Sequence, residues 1–264
     1  MSLNVRKTRC MAFLPKNCHF HYQGLLLDDK KITWITPDSS KSEKCYKFLG
    51  VLVDPELTFR EHICKVSAKL SSASFAVYNS QKVLPRKVAL SVYRALFESH
   101  ILYCSAAWGS SRPKLLQPLK AIQTKVLKSI FSLPRASHVS PLLAQHKLLR
   151  LHDLIKKEQT SVINQMRLGR LPPSLKNMAR HLNPAEALYR VSRQSDYDFA
   201  QPSVSHPDYY YHPKPQIIAA FNSLPFMVKA AQPDFFATEL KNHFLSVYRL
   251  PCQKVNCTAC QYPD

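Results

Sequence analysis

The chain has 264 residues, 45% of them apolar, which supplies a core and excludes bulk disorder. Against 17 Asp and Glu stand 37 Lys and Arg, a formal charge of +20, so an acidic binder is excluded and a polyanion is the expected partner class. The four glycines (Gly24, Gly50, Gly109, Gly169) lie far apart, which excludes a P-loop or dinucleotide fingerprint, since both cluster glycines to bring backbone N–H groups onto phosphates.

The first segment reads as short strands. Asn17–Leu27 mixes aromatic and aliphatic residues, 28–31 is a polar turn, and Ile32–Ile35 is a β-branched and aromatic return strand. Cys45–Val53 is a further apolar run, with Gly50 marking a bulge or a close backbone approach. Asp54, before Pro55, reads as a turn residue. Helices follow. Ile63, Val66, Leu70, Ala73 and Val77 recur at steps of three and four and form one apolar face. A second helix starts at Pro85, a residue suited to a first helical turn, with Val88, Val92, Ala95, Leu96, Ser99 and Leu102 on its predicted inner face. A third begins near Pro113 and carries Leu115, Leu119, Ile122, Val126 and Ile130. Leu142-Leu143 and His152–Leu168 make two more. The stretch 193–215 loses periodicity and reads as a linker or surface loop. Helices over Gln216–Phe221 and Pro233–Tyr248 close the chain. The predicted fold class is mainly α, with a small antiparallel β-hairpin region at the N-terminus. The predicted units are 1–57 (strands), 58–135 and 136–192 (helices), 193–215 (linker) and 216–264 (helices and a Cys-containing tail).

The charge is uneven. Residues 58–190 hold 22 basic and five acidic groups, whereas 191–264 hold six of each. A charge kept only for solubility would spread more evenly, so a binding surface is expected in the middle segment. No run of about 18 uninterrupted apolar residues predicts a membrane span. The first ten residues lack the apolar centre of a secretion signal. Eight thinly spread cysteines do not suit a secreted disulfide scaffold, so an intracellular protein of nucleus or cytoplasm is expected. Cys64 and Cys104 sit on or beside apolar faces and are expected to be buried thiols. Trp108 is expected in the core. Cys252, Cys257 and Cys260 have metal-like spacing but no clear fourth ligand, so zinc is a minor possibility.

Several blocks fall in a recognisable order. Asn4-Val-Arg-Lys7-Thr8 resembles the N-x-x-K-T segment of reverse transcriptases from non-LTR, jockey-like retrotransposons. Tyr46-Lys-Phe48-Leu49-Gly50-Val51 is similar to that family's Y-x-x-L-G-V block. His62-Ile63…Lys69-Leu70, Tyr93-Arg-Ala-Leu96…Ser99-His100-Ile-Leu-Tyr103…Trp108-Gly109, Ile122-Gln123 and Asn222-Ser-Leu-Pro225 resemble its later blocks.

The resemblance implies the C-terminal part of such an enzyme: the end of the palm, a helical thumb and an extension. It implies that the aspartates holding two catalytic Mg ions precede the N-x-x-K-T segment, so no catalytic residue and no cofactor are expected in this chain, and activity alone is not expected. Lys7 is a relic of the nucleotide-phosphate site. Phe48, Leu49 and Gly50, with Lys47, resemble the primer grip, where a glycine admits the nucleic-acid backbone and apolar neighbours hold the hairpin on the thumb. Lys65, Lys69, Arg86 and Lys87 are expected to contact phosphates of RNA or an RNA–DNA hybrid, with no membrane and no small-molecule substrate as partner. The alternative is a helical protein-interaction scaffold derived from a retroelement.

Overall fold

The computed structural model describes residues 8–13, 24–27, 30–36, 44–135, 137–175, 179, 197–202 and 207–249. The protein is mainly α-helical, and its strands pair two by two near the N-terminus. Strand β1 (Arg9–Met11) pairs in parallel with β4 (Thr33–Ile35), while β2 (Leu26–Leu27) and β3 (Lys30–Lys31) form an antiparallel pair. The stretch Ile32–Ile35 is therefore only partly a hairpin return. Ile32 N–H still donates to the Leu25 carbonyl at 2.8 Å, but the residues after it align with β1 instead.

The hairpin β5 (Tyr46–Phe48) to β6 (Val51–Val53) is antiparallel, with Phe48 opposite Val51. Leu49 and Gly50 join the strands with φ of 44° and 88°. Two successive positive φ values match the twist of a two-residue hairpin turn, so Gly50 makes the turn rather than a bulge.

Helix α1 (Arg60–Ser80) buries the predicted stripe of Ile63, Val66, Leu70, Ala73 and Val77. Its entry is built by Asp54. The Asp54 carboxylate accepts N–H bonds from Thr58 (2.9 Å) and Phe59 (2.8 Å), and the Leu57 N–H donates to its carbonyl at 3.0 Å. Asp54 is thus the turn residue its position before Pro55 suggested.

Helix α2 (Arg86–Tyr93) runs into a π-helical turn (Arg94–Glu98) and then α3 (Ser99–Leu102). The predicted inner face is wrong here. Ala89, Leu90, Tyr93, Phe97 and Ile101 are buried, while Val88, Ala95, Leu96 and Ser99 are exposed. Burying Tyr93, Phe97 and Ile101 removes far more apolar area from water than burying alanine and serine, and the π turn keeps these three in line.

Helices α4 (Ser105–Trp108), α5 (Pro113–Ile130), α6 (Ser140–Gln145) and α7 (Leu151–Arg167) complete the central bundle. Helix α8 (Pro213–Asn222) packs on α7, α9 (Phe226–Ala230) packs on α10 (Phe236–Tyr248), and α10 packs on α6 and α7; Phe236, Leu240, Phe244 and Tyr248 of α10 are buried as their spacing predicted. One continuous core runs from Val51 in the hairpin to Tyr248 in α10. Phe199 belongs to it, although it lies in the stretch whose composition reads as a linker.

Candidate nucleic-acid interface

The site begins with the polar residues that hold the helices in place. Gln123 is buried on α5. Its amide N–H donates to the Tyr93 hydroxyl (3.0 Å) and the Leu149 carbonyl (3.1 Å), and its carbonyl accepts the Leu151 N–H at 2.7 Å. One side chain thus pins α2, α5 and the start of α7, and it satisfies backbone groups that burial would otherwise leave unpaired. Trp108 is fully buried, and its indole N–H donates to the Tyr103 carbonyl at 2.8 Å. Gly109 follows because α7 passes so close: a Cβ there would lie 2.4 Å from Ile155 Cγ2. Asn222 makes a two-way bond with the Phe199 backbone (3.0 and 2.8 Å), as a neighbouring strand would. Beside it, Lys229 pairs with Asp198 at 2.5 Å, both buried.

These pins leave an open cleft of about 320 Å³ between the hairpin, α1 and α3, lined by Gly50, His62, Lys65, Val66, Lys69, Ser99, His100 and Tyr103. The hairpin is fixed above it by two hydrogen bonds. The Tyr103 hydroxyl donates to the Leu49 carbonyl, and the Leu52 N–H donates to His62 Nδ1 at 3.3 Å. Val51 anchors the hairpin in the core, whereas Phe48 and Leu49 are 62% and 75% exposed. Of the apolar neighbours of Gly50, Val51 alone holds the hairpin down; Phe48 and Leu49 do not. They stand out in solvent at its tip.

Accepting at Nδ1 places the proton of neutral His62 on Nε2. That atom is buried and finds no hydrogen-bond partner among the described residues. Burial, reinforced by Lys65 and Lys69, lowers the His62 pKa to about 4. His100 is shifted down as well, by burial and by Lys69. Both imidazoles are thus neutral at pH 7; His62 braces the hairpin with its Nε2–H buried, the cleft's donors are Lys65, Lys69, Ser99 and His100, and no carboxylate among the described residues lines it. Such a set of donors suits an anion held without proton transfer.

The other predicted positions separate from this cleft. Lys47 lies on β5, exposed on the hairpin. Arg86 and Lys87 are exposed at the start of α2, beyond the C-terminal end of α1. Fifteen residues of α1 separate Lys65 from Ser80, about 22 Å at 1.5 Å per residue, so these two cations stand apart from the cleft. The Arg86 guanidinium lies over the Phe131 ring at 5.9 Å. Lys7, Cys252, Cys257 and Cys260 lie outside the described residues. Cys64 and Cys104 are exposed, contrary to expectation. Cys64 points away from the stripe begun by its neighbour Ile63, and Cys104 has φ 53° at the break between α3 and α4. Sequence reasoning missed His62, Ser99, His100 and Tyr103 as cleft residues. All four fall in blocks that carry the resemblance, but nothing in those blocks placed them around one cleft.

Over 155 residues, 58% of its length, the chain is 24% identical to a Drosophila melanogaster protein named "Probable RNA-directed DNA polymerase from transposon X-element". The chain is similar to a transposon polymerase. That similarity supports a relationship to retroelement reverse transcriptases. The matched stretch spans 16% of the relative's length. No family model matches, and no solved structure matches. Among the described residues, no helix is long and apolar enough to cross a membrane.

Proposed function

We propose that this chain corresponds to the C-terminal part of a retroelement reverse transcriptase and that its cleft holds the phosphate backbone of an RNA–DNA hybrid. The observation that carries this reading is the cleft itself. It gathers the Gly50 turn with Lys65, Lys69, Ser99 and the neutral His100, and no carboxylate among the described residues lines it. Lys and Arg contacts of this kind read backbone geometry rather than base sequence. Gly50 bears no side chain to obstruct a backbone, and Phe48 and Leu49 at the tip present apolar surface to a sugar or base face. The resemblance puts the palm aspartates of such polymerases ahead of the N-x-x-K-T segment, so the part proposed for this chain is holding the duplex, not the two-metal chemistry.

The test is affinity for a hybrid duplex measured across salt. Two phosphates neutralised by Lys65 and Lys69 contribute about −2 to the slope of log K against log salt. Replacing Lys65 and Lys69 by Gln is expected to flatten that slope by about 2. An unchanged slope removes the cleft from the interface.

A further inference from the structure

A second group of cations converges away from the cleft. Arg94 begins the π-helical turn, Lys147 lies in the turn between α6 and α7, Lys157 is on α7 and Lys241 is on α10. The Arg94 guanidinium donates to the His146 carbonyl at 3.1 Å, which ties it to the residue before Lys147. Lys147 holds φ 55°, a left-handed conformation costly for a lysine, on that turn. Glu98, at the other end of the π turn, lies within electrostatic reach of Arg94, Lys241 and Lys157. Lys157 also contacts Glu158 at 3.6 Å. Four cations therefore meet two carboxylates, leaving a surplus of two positive charges.

The fold gains nothing from such crowding. Burial and the charges of Lys157, Arg94 and Lys147 hold the Lys241 ammonium below the usual lysine range, which is a cost to the folded state. Like charges collected from four separate elements point instead to an absent polyanion. The segment 94–103 links this group to the cleft: Ser99, His100 and Tyr103 line the cleft, while Arg94 and Glu98 belong to the second group. Ala95, beside Arg94 on this segment, is small and exposed.

We propose that Arg94, Lys147, Lys157 and Lys241 form a second phosphate-binding surface, which continues the nucleic-acid path beyond the cleft. This rests on the reading of the cleft as a nucleic-acid site. Glu98 limits the surface: burial raises its carboxyl pKa by more than the neighbouring cations lower it, so its charge costs the fold and also weakens binding of a polyanion.

The experiment measures the full chain's affinity for two RNA–DNA hybrids across salt, one short enough to fill only the cleft and one about twice as long. Lys157→Gln with Lys241→Gln is expected to flatten the salt slope by about 2 on the long hybrid and to leave the short one unchanged. Its thermal midpoint is expected to hold or rise, because repulsion is relieved. Glu98→Gln is expected to bind the long hybrid more tightly while its thermal midpoint holds or rises, since burial already disfavours the carboxylate. A merely structural role for Glu98 would lower both together. An unchanged slope on the long hybrid in the Lys157/Lys241 variant overturns the second surface, and if Lys65→Gln with Lys69→Gln still weakens binding, the cleft stands alone. If neither pair matters, both readings fall. If polyglutamate at equal charge displaces the long hybrid as well as free RNA does, the surface is an acidic-protein site and the phosphate assignment is wrong.

Discussion

Replacing Gln123 by leucine tests whether the polar residues of the conserved-looking blocks are structural pins. The side chains are similar in volume, so the change removes hydrogen bonds rather than packing. Three are lost: those to the Tyr93 hydroxyl, the Leu149 carbonyl and the Leu151 N–H. The two backbone groups are buried, and each unsatisfied group costs about 1–3 kcal/mol. Leucine returns about 1 kcal/mol through better burial. The net loss is then about 1–5 kcal/mol, a large part of the ~5–15 kcal/mol by which domains are stable. In a chain of this size it lowers the melting midpoint by about 2–4 °C per kcal/mol. Urea unfolding with an unchanged m-value reads it directly. The Tyr93→Phe change supplies an internal check. Alone it should cost about 1 kcal/mol, since the hydroxyl loses its Gln123 partner. In the Gln123→Leu background it should stabilise, because it removes a buried hydroxyl that is already unpaired. A loss below about 1 kcal/mol for Gln123→Leu, or the same sign for Tyr93→Phe in both backgrounds, refutes the pin.

Three further outcomes are expected. Gly109→Ala sets a Cβ 2.4 Å from Ile155 Cγ2 and from the Ser105 carbonyl oxygen, and the backbone oxygen cannot retreat, so denaturant unfolding should show a loss of about 3 kcal/mol or more. Stability should also fall as pH drops. The folded pKa of His62 lies near 4, below its unfolded value of 6.5, so the unfolded chain takes up the proton first and the loss runs from pH 6.5 down to about 4. After screening by solvent it amounts to about 2 kcal/mol, and His62→Asn, which keeps an acceptor for the Leu52 N–H, should flatten that part of the profile. Tyr103→Phe frees the Leu49 carbonyl, and so should weaken hybrid binding several-fold while changing stability by less than about 1 kcal/mol; binding equal to wild type would show that the tether plays no part.

The helical class and most helix faces were legible because apolar spacing alone determines which side of a helix is buried. The stripe from Ile63 to Val77 and that from Phe236 to Tyr248 are examples. The face of 86–102 was not legible, because two apolar stripes compete there and only packing decides that Phe97 and Ile101 go inward. The β1–β4 pairing was hidden for a similar reason: strand partners distant in sequence leave no local pattern. Composition misled at 197–202, where a run of polar residues conceals Phe199 and an Asp198 paired with a lysine 31 residues on. The basic character of residues 58–190 pointed to a polyanion, and Gly50, Lys65 and Lys69 do meet in one cleft. Arg86 and Lys87 were grouped with them only by charge, and the length of α1 sets them apart. The role of His62 gave no signal, because it comes from one N–H bond from the hairpin, a contact that exists only after folding.

The motif-like blocks also acquire a physical account. Tyr93 and Gln123 bond to each other in the core, Trp108 bonds the Tyr103 backbone, Gly109 lets α7 approach, and Asn222 replaces a strand partner for Phe199. None of these touches the cleft directly except Tyr103. They hold α1, α3 and the hairpin at the separation the cleft requires, so substitutions there would lower binding through stability.

Site-specific crosslinking tests the cleft most directly. A photoreactive residue in place of Ser99, which is exposed and lines the cleft, is compared with one in place of Met227, which is exposed on α9 and lines neither basic surface. With an RNA–DNA hybrid, the probe at 99 should crosslink in a salt-sensitive manner and the probe at 227 should not. Equal crosslinking from both positions, or none from 99 while the hybrid is bound, would contradict the assignment of the cleft as the nucleic-acid interface.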